Sequence, residues 1–71
     1  MTVHEALQAI VNNRHEKAVN WAVNYALYGL TLPEGEELRV QCLYVLNNIS
    51  RWRGELAKEV RATLKKYAGV K

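Results

Sequence analysis

Apolar residues recur along this 71-residue chain at spacings of three and four, the period of an α-helix. The first series, Val3, Ala6, Leu7, Ile10 and Val11, opens on Thr2-Val3-His4-Glu5. That tetrapeptide has the form of a capping box, in which the Thr2 side chain and the Glu5 side chain each take up a free N–H of the first turn. The polar run Asn12 to Lys17 then predicts a turn, because asparagines favour local side-chain bonds over helix continuation.

The next segment, Arg14 to Gly29, carries apolar side chains around most of its circumference. At roughly 100° per residue, Val19, Ala22, Val23, Ala26 and Leu27 cover one side of helix two, while Trp21, Tyr25 and Tyr28 stack on another. A short chain rarely covers two such faces by itself. The aromatic seam is either core, with tyrosine hydroxyls reaching the surface, or a face for a second chain, a partner or a ligand. The aliphatic side has an equal claim on the interior and weakens the first reading; stacking on nucleobases ranks third. Gly29 is expected just past the helix end.

Thr31-Leu32-Pro33-Glu34-Gly35-Glu36-Glu37 is the clearest loop, with Pro33 suited to the first turn of helix three, Thr31 or a neighbour to its cap, and the glutamates to its positive end. Helix three presents Leu38, Cys42, Val45, Leu46 and Ile49 on one face and Val40, Leu43 and Tyr44 on the opposite one. Helix four, Arg51 to Ala68, turns Trp52, Leu56, Val60, Leu64 and Tyr67 one way and ends at Gly69. The apolar series of helices three and four stays in phase, so a single helix of about 35 residues is allowed. Asn47, Asn48, Ser50 and Gly54 are weak helix formers, and Ser50 stands where a fourth helix wants its N-cap. A break is therefore favoured.

A chain of this length buries only about 60% of the surface it exposes when unfolded, so its stability is marginal without an efficient core or a partner. One cysteine, Cys42, closes no intrachain disulfide, and with two histidines it makes no zinc site. Oligomerisation is left as the source of extra burial. Met1-Thr2-Val3-His4-Glu5 lacks the basic and apolar regions of a secretory signal. The longest apolar stretch, Val19 to Leu32, is interrupted by Asn20 and Asn24 and falls short of the roughly 20 residues that span a bilayer. No membrane association and a cytoplasmic location are expected.

The formal charge of +3 is divided unevenly, −2 over residues 1–49 and +5 over residues 50–71. An anionic partner would meet the C-terminal third. On a continuous helix four, Arg51, Lys58, Arg61 and Lys65 lie within roughly 80° of one another and suit a phosphate backbone. The competing reading is a solvated basic face complementing the helix dipole. A helix-turn-helix across the turn at residues 29–36 is disfavoured, since Glu34, Glu36 and Glu37 would sit where a recognition helix approaches phosphates; helices three and four remain a possible pair, but Gly54 and Glu55 give no recognisable set of base-contacting side chains.

Catalytic chemistry has little to stand on. His4 and His15 are too far apart to share a metal and read as surface residues, and His15-Glu16 lacks the second histidine of a metalloprotease motif. Cys42 reads as a small buried hydrophobe. The chain has no aspartate and no glycine-rich phosphate loop, so neither an enzyme nor a cofactor is expected.

The sequence thus predicts one all-α domain over residues 1–71, a bundle of four helices, or three if the last two fuse, that self-associates as a dimer. The expected function is non-enzymatic and carried by a protein–protein interaction surface, comprising Trp21, Tyr25 and Tyr28 of helix two and Val40, Leu43 and Tyr44 of helix three. The partner is a second copy or another protein. The rival reading is nucleic-acid binding by Arg51, Lys58, Arg61 and Lys65.

Overall fold

In the computed structural model, which describes residues 1–70, Thr2 and Glu5 close the first turn of the first helix together. The Thr2 hydroxyl accepts from Glu5 N at 3.1 Å, and Thr2 N–H donates to Glu5 Oε1 at 2.7 Å, as the capping-box sequence predicts. The helix they open, α1 (Val3–Asn12), buries Val3, Ala6, Leu7 and Ile10. Asn13 ends it, its side-chain amide donating to Ala9 O at 2.8 Å, and the predicted turn follows.

The second predicted helix is present in two pieces, α2 (Lys17–Asn20) and α3 (Val23–Leu30). Trp21 and Ala22 at the joint keep right-handed backbone angles. Ala22 N bonds Val19 O, three residues back, before Ala26 N resumes four-residue bonding to Ala22 O. The chain is therefore pinched to a 3₁₀-type turn at Trp21. Gly29 is not past the helix end but buried inside α3. A Cβ at Gly29 would stand 2.8 Å from Leu7 Cδ1, so close approach of α1, and not a left-handed backbone, is what this position requires. Thr31 closes α3 by donating its hydroxyl to Tyr28 O at 2.6 Å, and does not cap the helix that follows.

Pro33 stays in the loop, and α4 (Glu36–Asn47) starts after Gly35 with Glu36 and Glu37 in its first turn, where carboxylates favour the dipole. The predicted break is present: α4 ends at Asn47 and α5 (Glu55–Ala68) begins after Gly54. Gly54, at φ +112°, takes the N-cap place expected of Ser50, in a conformation that side chains rarely adopt. Gly69 ends α5 in the left-handed conformation, as expected.

The break also uncouples phase. Trp52 is buried in the connection, α5 buries Ala57, Val60 and Leu64, and Leu56, expected inside, is 42% exposed. Because residues 48–54 are not helical, the direction of Trp52 does not fix which face of α5 turns inward.

Four helices close a ring in which α1 and α4 each pack against both α3 and α5. Leu7, Ile10, Leu38, Ile49 and Leu64 are wholly buried at its centre, within one continuous cluster. The all-α bundle measures 28 × 24 × 19 Å. Gln41, buried between α3 and α4, donates its amide to Tyr25 O at 2.9 Å. Among the described residues no buried side-chain nitrogen or oxygen lacks a partner, and no helix is long and apolar enough to cross a membrane.

Candidate interaction surface

The fully buried positions along α3 are small residues, Ala22 at its N-terminal edge, then Ala26 and Gly29, with Leu30 packed partly against the core at its end. Their spacing of four and three puts them on one stripe. Small residues let backbones approach, and Gly29 sits against Leu7 on one side and Gln41 and Leu38 on another. With that stripe turned inward, the aromatic residues of the segment and Leu27 turn outward: Trp21 is 79% exposed, and Tyr25, Leu27 and Tyr28 stand out beside it. The reading of the seam as core is overturned.

The antiparallel neighbour α4 completes the surface. Tyr44 is half exposed, and its ring centroid lies 5.9 Å from that of Tyr25, with the planes tilted by 31°. Such an offset pair holds both rings at a defined angle. Tyr28 donates its hydroxyl to Glu37 Oε2 at 2.9 Å. The hydrogen bond to the Glu37 carboxylate, and then its charge, hold the Tyr28 phenol above its ordinary pKa. At the other end, Trp21 borders a hollow of about 280 Å³ together with Lys17, Asn48 and Arg51. Trp21, the Tyr25–Tyr44 pair and Tyr28 thus form one strip along the α3–α4 seam.

No known protein family matches this chain, and no curated protein or solved structure matches it either.

Of the six residues expected to form the surface, all are exposed, but they do not form one patch. Val40 is on the outward side of α4 next to Tyr44. Leu43 is turned about 100° from Tyr44 and lines a separate hollow of about 400 Å³ against α5, with Leu46, Arg61, Lys65 and Val70. Sequence reasoning had no means of joining Tyr44 to Tyr25, because the pairing depends on which faces of α3 and α4 meet.

The four basic residues are dispersed as well. Arg51 precedes Gly54, so it is not on α5, and it stands beside Trp21. Lys58 lies 3.9 Å from Glu55 Oε1. Arg61 is half-buried and donates to Ile49 O at 3.4 Å and also to Trp52 O, tying α5 to the α4–α5 connection. Lys65 reaches the Leu43 hollow. The role of Arg61 as a clamp was not visible in its spacing.

A further hollow, about 610 Å³, is open and lies between the start of α1 and the end of α5, lined by Met1, Val3, Ala62, Thr63, Lys66 and Tyr67. Two of its polar groups are engaged in the fold: Thr63 donates to Glu59 O, and the Tyr67 hydroxyl accepts from Gly35 N. His4, expected on the surface, is partly buried with Nε2 2.8 Å from Leu32 O. Cys42 is wholly buried, and desolvation pushes its thiol up to about 11. Among the described residues no group of three or more His, Cys, Asp or Glu stands together as metal ligands would.

Proposed function

We propose that this protein is a non-enzymatic interaction module that acts through the aromatic strip on α3 and α4 and self-associates there. The observation that supports this is the arrangement of α3, whose inward stripe is Ala22, Ala26 and Gly29 while Trp21, Tyr25 and Tyr28 face water. Exposed tryptophan and tyrosine carry large contact area with few rotatable bonds, which is why such residues dominate interface energetics. Each 100 Å² of apolar surface left in water forgoes about 2.5 kcal/mol. The proposal places the protein in the cytoplasm, where the unpaired Cys42 stays reduced.

Nucleic-acid binding has weaker support, since Arg61 is engaged with backbone carbonyls and Arg51 lies off α5. The test is the solution mass by light scattering at low and moderate salt, with and without a mixed-sequence DNA duplex. A dimer or larger species that ignores DNA, and that Trp21→Ala with Tyr25→Ala dissociates, is the expected result. A monomer whose mass shifts only with DNA, and loses the shift as salt rises, would replace this reading by the nucleic-acid one.

A further inference from the structure

Building on the self-association reading, we infer that the aromatic strip takes a second copy of this chain laid antiparallel across it. The twofold axis passes near the Tyr25–Tyr44 pair, and Lys17 and Arg51 of each copy face Glu37 of the other.

Two observations carry this arrangement, and the first is the distribution of charge along the strip. Lys17 and Arg51 border its Trp21 end, and Glu37 stands at its Tyr28 end. Glu37 and Asn48 are eleven residues apart on and just past α4, so the two ends are separated by about 16 Å. Among the described residues the ion pairs are Arg39–Glu36 and Lys58–Glu55, so Lys17, Arg51 and Glu37 have no oppositely charged partner within the fold. The Tyr28 hydroxyl occupies one Glu37 oxygen and leaves the other free. A strip that is cationic at one end and anionic at the other is complementary to itself only when the copies run in opposite directions. A twofold axis lying in the interface and perpendicular to the strip produces that opposition and makes both charge contacts at once. Copies laid head to head would set like charges against each other.

The second observation is area. Aromatic side chains bury about 150–250 Å² each when fully covered. At the exposures of Trp21, Tyr25, Tyr28 and Tyr44, the strip offers on the order of 400 Å² of aromatic surface per copy. That is about half of the ~800 Å² per partner of a stable interface. Exposed neighbours supply the rest: Asn24 between Trp21 and Tyr28, Val40 beside Tyr44, and the charged ends themselves. An aromatic centre with a polar, charged rim is the anatomy of a specific contact.

The test measures the dimer dissociation constant of the full chain by sedimentation equilibrium at low salt. It compares wild type, Lys17→Glu with Arg51→Glu, Glu37→Lys, an equimolar mixture of these two variants, and Trp21→Ala with Tyr25→Ala. All the substituted side chains are exposed, and circular dichroism checks that helix content is unchanged. Each charge-reversed variant is expected to dimerise at least roughly tenfold more weakly than wild type, because both symmetry-related contacts turn from attraction to repulsion. Mixing the two is expected to restore the dimer, since each then meets its opposite at both ends. Unchanged dimers in the reversed variants, no recovery on mixing, or a wild type that stays monomeric would each overturn the antiparallel arrangement. If the charge variants are silent while the aromatic variant dissociates, the register fails and the surface stands. If the aromatic variant still dimerises, the surface reading itself has failed.

Discussion

Gly29 of α3 lies so close to Leu7 of α1 that a Cβ on the glycine would stand 2.8 Å from the leucine Cδ1. Leu7 is wholly buried, so its methyl has little room to retreat, while Gln41 and Leu38 lie at ordinary contact distance from the same position, 3.5 and 3.6 Å. This contact sets the spacing of α1 and α3 and hence the outward turn of Trp21, Tyr25 and Tyr28. In an open helix interior Gly→Ala stabilises by up to about 1 kcal/mol. Here overpacking opposes that gain, and Gly29→Ala is expected to lower stability by about 1–2 kcal/mol in urea unfolding. A variant more stable than wild type would show that the α1–α3 contact is looser than described.

Arg61 ties α5 to the turn before it by donating to Ile49 O and Trp52 O. Arg61→Ala strips these half-buried carbonyls of a charged donor and is expected to cost about 1–3 kcal/mol. Lys58→Ala, on an exposed pair with Glu55, is expected to cost under about 0.5 kcal/mol. Thermal unfolding of the two side by side checks the difference. Equal, small effects would return Arg61 to the solvated basic face.

The two tryptophans report different things. Trp52 is 4% exposed and Trp21 is 79% exposed. Trp52→Ala is expected to destabilise by about 3–5 kcal/mol, and Trp21→Ala to leave the monomer within about 0.5 kcal/mol. In the Trp52→Phe protein, acrylamide quenching of Trp21 should be strong in dilute solution and should fall as concentration rises and the strip is covered. Quenching that does not vary with concentration would argue against coverage of Trp21.

Burial raises the Cys42 thiol from its ordinary value of 9.0 to about 11. The folded state thus holds the proton more tightly than the unfolded chain does. Its contribution is fully present below pH 9 and is lost as pH rises from about 9 to 11, an effect on the order of 2 kcal/mol. Cys42→Ala should lack this alkaline component. The native thiol should also react with a thiol reagent at neutral pH only as fast as the protein opens, and rapid native labelling would contradict its burial.

At the other end of the pH range, hydrogen bonds from the Thr2 backbone N–H and then its hydroxyl hold the Glu5 carboxyl below its ordinary value of 4.5. A depressed carboxylate stabilises the fold above that value, and the contribution is lost as pH falls through the lower folded pKa. Glu5→Gln should therefore be less stable than wild type at neutral pH and converge with it in acid. Thr2→Ala is expected to cost about 1 kcal/mol at neutral pH. Parallel curves for Glu5→Gln and wild type down to pH 2 would mean that the capping box is not formed in solution.

What the sequence determined by itself was settled within a turn or two of chain. Thr2 and Glu5 satisfy each other across three residues, Gly69 takes the left-handed turn that ends α5, and Asn48 to Gly54 interrupt the helix. Buried positions such as Leu7, Ile10, Val45 and Leu64 follow from apolar spacing inside one continuous helix. Tertiary structure decided what depends on how separate helices are turned toward each other. Gly29 reads locally as a helix end, yet Leu7 makes it an interior contact; Arg61 reads as one of a row of cations, yet two carbonyls claim it. Leu56 lost its predicted place inside because the phase of an apolar series does not survive seven non-helical residues, 48–54. Tyr25 and Tyr44 are nineteen residues apart and meet because α3 can lie close to α1 and α4 only with its smallest side chains inward. Hydrogen bonds of the backbone are local and periodic, whereas the azimuth of each helix is set by the summed packing of all its neighbours.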